Sequence, residues 1–159
     1  SGVGVPGTGI VLQCRGALFS LDKRHPNALA PGKRPFHTII PAMAYRKGDP
    51  WLCFGVMGGH HQPQGHVQVL SNIIDLGMDS QSALDAPRWH HDQGRDEVGI
   101  EGGFSKEFAA ALSARGHRLV PASSFNFGGG QIVKFNRSKK SLVLEGGSDP
   151  RKDGCAVAL

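Results

Sequence analysis

The chain has 159 residues, of which 39% are hydrophobic and only 19% charged, with 23 Gly and 10 Pro. That length supports one domain with a real core, and the mix fits a compact, turn-rich α/β protein better than a helical bundle or a disordered chain. The formal charge of +5 is scattered (Arg15, Lys23-Arg24, Lys33-Arg34, Arg46-Lys47, Lys139-Lys140, Arg151-Lys152) and not interleaved with aromatics. This argues against nucleic-acid binding and leaves an acidic partner or substrate as the fitting counterpart. Cys14, Cys53 and Cys155 make neither a disulfide framework nor a pair at metal-ligand spacing, and Cys53, inside an apolar run, reads as a small buried thiol. No stretch approaches the ~20 apolar residues that would span a bilayer, and no signal-peptide pattern is present. Compartment stays open.

Glycine punctuation leads into a short predicted strand at Ile10–Cys14. Residues 16–35 hold Gly16, Gly32, Pro26, Pro31 and Pro35 and read as a long ordered loop, a feature that is uncommon unless functional or held by a partner. His37–Tyr45 is β-branched and apolar, a strand broken at Pro41. Arg46–Pro50 turns the chain, and Trp51–Val56 returns antiparallel, which places Thr38 and the following Gly58-Gly59 turn toward one end of a sheet. From Gln64 to Leu76 the apolar positions take helical spacing up to Gly77. Asp79 or Ser80 caps a second short helix through Leu84. Trp89–Asp92 and Glu97–Glu101 flank a turn. Ser105, Glu107 and Gly116 bracket a helix over Lys106–Arg115. A strand near Arg118–Pro121 follows, and Gln131–Asn136 with Ser141–Glu145 form a closing hairpin. Paired strands without regular βαβ alternation predict an α+β fold with largely antiparallel sheets, organised as a single domain over 1–159.

The chemistry candidates centre on Gly55-Val56-Met57-Gly58-Gly59. A strand feeding a Gly-Gly turn ahead of a helix leaves backbone N–H groups unpaired and pointing one way. Such a nest stabilises a bound anion or the oxygen of a tetrahedral intermediate; the same glycines also serve a plain structural turn needing positive φ. His60-His61, His66 and His90-His91 do not match a common zinc arrangement and read as solvated or hydrogen-bonded histidines. Ser123-Ser124 and Ser148 lack the context of a nucleophile elbow. Asp149 with Arg151 reads as an ion pair that fixes a turn. No complete set of nucleophile, base and oxyanion donors emerges from the pattern.

Five segments in order carry a resemblance: Val5-Pro6-Gly7-Thr8-Gly9-Ile10, Asn27–Pro35, Gly55–Gly59, Ala86-Pro87-Arg88-Trp89 and Ser148-Asp149-Pro150-Arg151. Together they resemble the small, C-terminal subunit of gamma-glutamyltransferases (gamma-glutamyltranspeptidases). Arg15-Gly16, Phe19–Asp22 and Pro35–Thr38 look most like the gamma-glutamyltransferase-like branch that includes certain cephalosporin acylases. The resemblance implies an N-terminal nucleophile (Ntn) hydrolase: an αββα four-layer sandwich from a self-cleaving precursor, with an N-terminal threonine as nucleophile and its own amino group as base. It implies a large-subunit partner, a small-molecule amide donor and no cofactor or metal. Gly58 and Gly59 correspond to the oxyanion hole, and His37, Thr38, Met57 and Arg15 to substrate-binding positions. Thr8 lies too far along the pattern to be the nucleophile, so the chain is expected to lack its catalytic edge and to be inactive alone. Where the family places an acidic residue to hold a substrate ammonium, Leu18 stands; His37-Thr38 occupy the place of paired serines. A glutaryl-like acyl group is expected to compete with γ-glutamyl. The reading from another class is a non-catalytic domain that binds an anion in the Gly58-Gly59 nest.

Overall fold

A computed structural model describes residues 2–157 as two compact units, the first ending at Thr38 and the second beginning at Ile39.

The first unit is nearly free of regular structure. The predicted strand at Ile10–Cys14 does not form. Residues 3–12 instead fold back about Pro6-Gly7-Thr8, held by Val5 N–H to the Ile10 carbonyl and a single Gly4–Val11 bridge. The Thr8 hydroxyl donates to the Val5 carbonyl and accepts from Ile10 N–H, closing the turn from inside. A one-turn 3-10 helix covers Arg15–Leu18. The expected long loop is ordered by Asn27, whose amide donates to the Leu18 carbonyl at 2.7 Å and accepts from Phe36 N–H at 2.9 Å. One asparagine thereby replaces the ladder that this proline-rich stretch cannot make.

The second unit carries two sheets. β1 (Ala42–Arg46), β2 (Asp49–Met57), β6 (Gly129–Arg137) and β7 (Leu142–Ser148) form an antiparallel sheet in the order β1-β2-β6-β7. Pro41 has no N–H to give a ladder, and pairing starts only at Ala42 opposite Phe54. Thr38 therefore lies outside the strand, not along it as the sequence pattern predicted. Along β2, Leu52, Phe54 and Val56 are buried and meet Ile132 of β6. Helices α1 (Gln62–Ile74) and α2 (Ser80–Asp85) close this face with Val69, Ile73, Ala83 and Leu84. Burial of these side chains out of water is the main force holding helices to sheet. Of the two cap candidates, Asp79 and Ser80, it is Asp79 that caps α2, accepting from Ser82 N–H at 2.9 Å, while Ser80 is the first residue of the helix.

The period of two puts Cys53 on the opposite face, where it is exposed, so the expectation of a buried thiol is overturned. Met43, Val133 and Leu144 share this uncovered face with it through the register Met43–Cys53–Val133 and the pair Phe135–Leu144.

β3 (Trp89–Asp92) and β4 (Glu97–Ile100) pair antiparallel, as expected. α3 (Lys106–Ala114), capped by Ser105, then returns the chain so that β5 (Leu119–Pro121) runs parallel to β4. Among the described residues this is the one βαβ step between named strands, and the other strand pairs of this mixed α/β fold are antiparallel. Among the described residues, no helix is long and apolar enough to cross a membrane.

Candidate active site

The end of β2 builds the site. Ladder pairing stops at Met57 opposite Gly129, and the chain turns sharply through Gly58 (φ 133°) and Gly59 (φ 59°) into a 3-10 turn, Gly59–His61, that runs on into α1. Both values lie where side chains with a Cβ are rarely accommodated, which explains the glycine pair. His61 N–H closes the turn on the Gly58 carbonyl at 3.1 Å. Among the described residues, no hydrogen bond uses the N–H of Gly58 or of Gly59. Two adjacent donors are thus left at the start of a helix, an arrangement suited to an anionic oxygen.

These donors border an open concavity of about 640 Å³, walled by Met57–His61, His90, Phe125–Gly128 and Lys152. Gly128 (φ 72°) is its tightest point: a Cβ there would fall 1.8 Å from the Met57 carbonyl oxygen. The backbones of Met57-Gly58 and Gly128 are therefore in direct contact, and the position of one determines that of the other.

Behind this wall lies a buried ionic network that the sequence showed only in part. Asp149 and Arg151 do pair, at 3.1 Å, but each has a second partner. Arg88, fully buried, meets Asp149 at 2.6 Å and donates to the Phe127 carbonyl at 2.9 Å, fixing the residue before Gly128. Arg151 forms a two-point contact with Glu101, whose carboxylate also accepts from Arg88 N–H. Two cations and two carboxylates balance. Burial disfavours the Asp149 carboxylate, but hydrogen bonds from Arg151 and Gly130 N–H, with the Arg88 charge, hold its pKa below the usual range. Arg88 was visible as part of a motif, but nothing in the spacing of Arg88 and Glu101 signalled that they meet Asp149 and Arg151.

His61 is buried, with its Nδ1 3.3 Å from Nδ1 of His90 and its ring edge-on to Phe127. Burial, then the neighbouring His90, Arg88 and Arg151, push its pKa from 6.5 down to about 4, so it is neutral at pH 7. One ring of the pair donates and the other accepts. His66 donates its Nδ1–H to the Gln62 carbonyl, 2.7 Å away. Among the described residues, no cluster of His, Cys, Asp and Glu is arranged to hold a metal ion.

Of the residues singled out in the sequence, Met57, Gly58 and Gly59 come together on this concavity. Arg15 lies in the 3-10 turn of the first unit, and His37 and Thr38 are that unit's last residues. Thr38 is buried, and its hydroxyl has no hydrogen-bond partner among the described residues.

Comparison with known proteins bears on this arrangement. The family profile described as gamma-glutamyltranspeptidase matches residues 1–159. The oxamate amidohydrolase proenzyme of Klebsiella pneumoniae is 40% identical over 161 residues, covering 99% of this chain and 30% of that relative. The glutathione hydrolase-like YwrD proenzyme of Bacillus subtilis is 38% identical over 156 residues, 96% of this chain and 30% of that relative. The chain therefore spans about 30% of the length of these curated relatives. Among solved structures, the cephalosporin acylase from Bacillus halodurans superposes with a TM-score of 0.86 at 50% identity, over 99% of this chain and 29% of that one. An acivicin-inhibited gamma-glutamyltranspeptidase superposes at 0.84 and 27% identity, over 97% of this chain and 87% of that one. With the whole of its length matched and its fold shared with both enzymes, this chain belongs to the gamma-glutamyltranspeptidase family.

Proposed function

We propose that these residues are the small-subunit part of a gamma-glutamyltransferase-like Ntn hydrolase, completed by a large subunit from the same precursor. The observation that carries this reading is the unpaired pair of N–H groups at Gly58 and Gly59, at the mouth of a concavity. In the proposed reaction, the hydroxyl of an N-terminal threonine attacks the amide carbonyl and gives its proton to the threonine's own amino group. The carbonyl oxygen becomes an oxyanion, and the Gly58 and Gly59 N–H groups stabilise it where the charge develops. Collapse breaks the C–N bond, the leaving amine takes the proton, and water or another amine then attacks the acyl-threonine ester. No metal or cofactor is needed for this sequence. Neither threonine of this chain, Thr8 or Thr38, matches the family's nucleophile, and the 159 residues alone are expected to be inactive.

The uncovered apolar face of the four-stranded sheet (Met43, Cys53, Val133, Leu144) supports a second sheet packed against it, as in an αββα sandwich. His37, Thr38, Met57 and Arg15 are the proposed substrate-binding residues. With Leu18 in place of an acid, a glutaryl-like amide is a donor alongside γ-glutamyl amides.

Mass spectrometry of the whole precursor tests the reading, with cleavage immediately before a threonine as the expected result. Hydrolysis of glutaryl and γ-glutamyl anilides by the processed protein should follow. A precursor that stays intact and inert, yet still binds small anions at Gly58-Gly59, would establish the non-catalytic alternative instead.

A further inference from the structure

Among the described residues, the concavity beside Gly58-Gly59 is lined by one fixed charge: none of its wall residues is a carboxylate, and the single Lys or Arg among them is Lys152. The Lys152 ammonium lies 4.5 Å from the centre of the Phe125 ring, and among the described residues no Asp or Glu pairs with it. A half-buried ammonium held over an aromatic face, without a counterion, is short of one partner.

Its placement is built into the fold. A Cβ on Gly129 would come within 2.4 Å of the Lys152 Cγ, so the glycine leaves room for the lysine stem to cross the β6 backbone. The preceding residue, Arg151, is anchored by Glu101 and Asp149, and Lys152 N–H closes on the Asp149 carbonyl at 3.2 Å. The backbone that carries the ammonium is thus fixed from inside the protein, which limits the entropy lost when the side chain engages a ligand.

We propose that Lys152 is a specificity-determining residue that binds a carboxylate of the substrate, so that the amide processed at Gly58-Gly59 is an anionic one. This rests on the amide-hydrolase reading given above. The carboxylate can belong to the acyl group or to the departing amine, and the two are distinguished by experiment.

The test uses the full-length processed protein and three matched anilides. One carries a carboxylate at the end of the acyl chain, one carries it on the aniline ring, and one is neutral, with a carboxamide on the acyl chain. Lys152→Met should lower kcat/KM for one of the anionic substrates by roughly tenfold or more, the size of one charge-assisted hydrogen bond, mainly through KM. The substrate that loses identifies the source of the carboxylate. The neutral substrate should change by less than about twofold, and Lys152→Arg should recover most of the loss. Equal losses on all three substrates, or none, would overturn the role of Lys152 while leaving the hydrolase reading intact. Failure of the processed wild-type protein to hydrolyse any of the three would overturn both.

Discussion

Gln68 exchanges two hydrogen bonds with the backbone of Trp89, donating from Nε2 to its carbonyl and accepting its N–H on Oε1, each at 2.9 Å. One helical turn earlier, Gln64 does the same for His91, at 3.1 and 2.8 Å. The two side chains of α1 thus act as the missing neighbour of edge strand β3 and hold His90, between them, against His61. An amide is suited to this because it offers a donor and an acceptor at one tip. Gln68→Ala is expected to destabilise the processed protein by about 2–4 kcal/mol, since both backbone groups of Trp89 lose their partner. Gln68→Glu, which keeps the acceptors and loses the donor, should fall between. Chemical denaturation checks the order.

Acid should weaken the fold in two steps. Native His61 has its pKa pushed by burial to about 4 from an ordinary 6.5, so the unfolded chain takes up the proton first. Stability from this group is complete above pH 6.5 and declines as pH falls toward 4, by roughly 3 kcal/mol at the limit. Glu145 follows: its hydrogen bond with Ser80 lowers its pKa to about 2 from 4.5, and its contribution is lost as pH falls through that interval. Denaturation midpoints measured across pH should show both declines, and His61→Phe should flatten only the upper one.

Removing one member of the buried ionic network should be severe. Asp149→Asn leaves Arg88 buried without its counterion, and a loss of about 3–5 kcal/mol is expected. Arg88→Met combined with Asp149→Asn should lose less than the sum of the two single changes, because their interaction is direct at 2.6 Å. A strictly additive double variant would mean that the pair is not coupled.

At the turn, Gly58→Ala places a Cβ at φ 133°, 3.2 Å from the Cα of Gly128, and must rotate the N–H groups. If they stabilise an oxyanion, kcat should fall by about 10²–10³ with little change in KM, while the precursor still folds. Steady-state kinetics on a glutaryl anilide decide it.

Val133→Lys places a charge on the uncovered sheet face without touching the core beneath. It should reduce recovery of the large subunit with this chain on co-purification, and the same substitution should leave the circular dichroism of the chain near that of the unsubstituted protein. Undiminished association would argue against a second sheet on this face.

Much of this was readable along the chain because it depends on near neighbours. The spacing of Val69 and Ile73 and the Asp79 and Ser105 caps are local consequences of helix geometry, and they came out within a few residues of expectation. The ordered motifs carried the family, since several together are far more specific than one. Errors arose where local pattern competes with backbone chemistry. Ile10–Cys14 has strand composition, but positive φ at Gly7 and Gly9 folds the segment back on itself. Cys53 sits in an apolar run, yet the register alone sends it to the open face.

From the sequence by itself came the α+β class, the helix limits, the family and the Gly58-Gly59 turn as the centre of interest. Only the tertiary structure decided that Arg88 and Glu101 join Asp149 and Arg151, that His61 meets His90, and that Lys152 shares a concavity with the two glycines. The reason is distance along the chain. Arg88 and Asp149 are 61 residues apart, and no period or spacing encodes a contact that forms only when the helices and the two sheets pack.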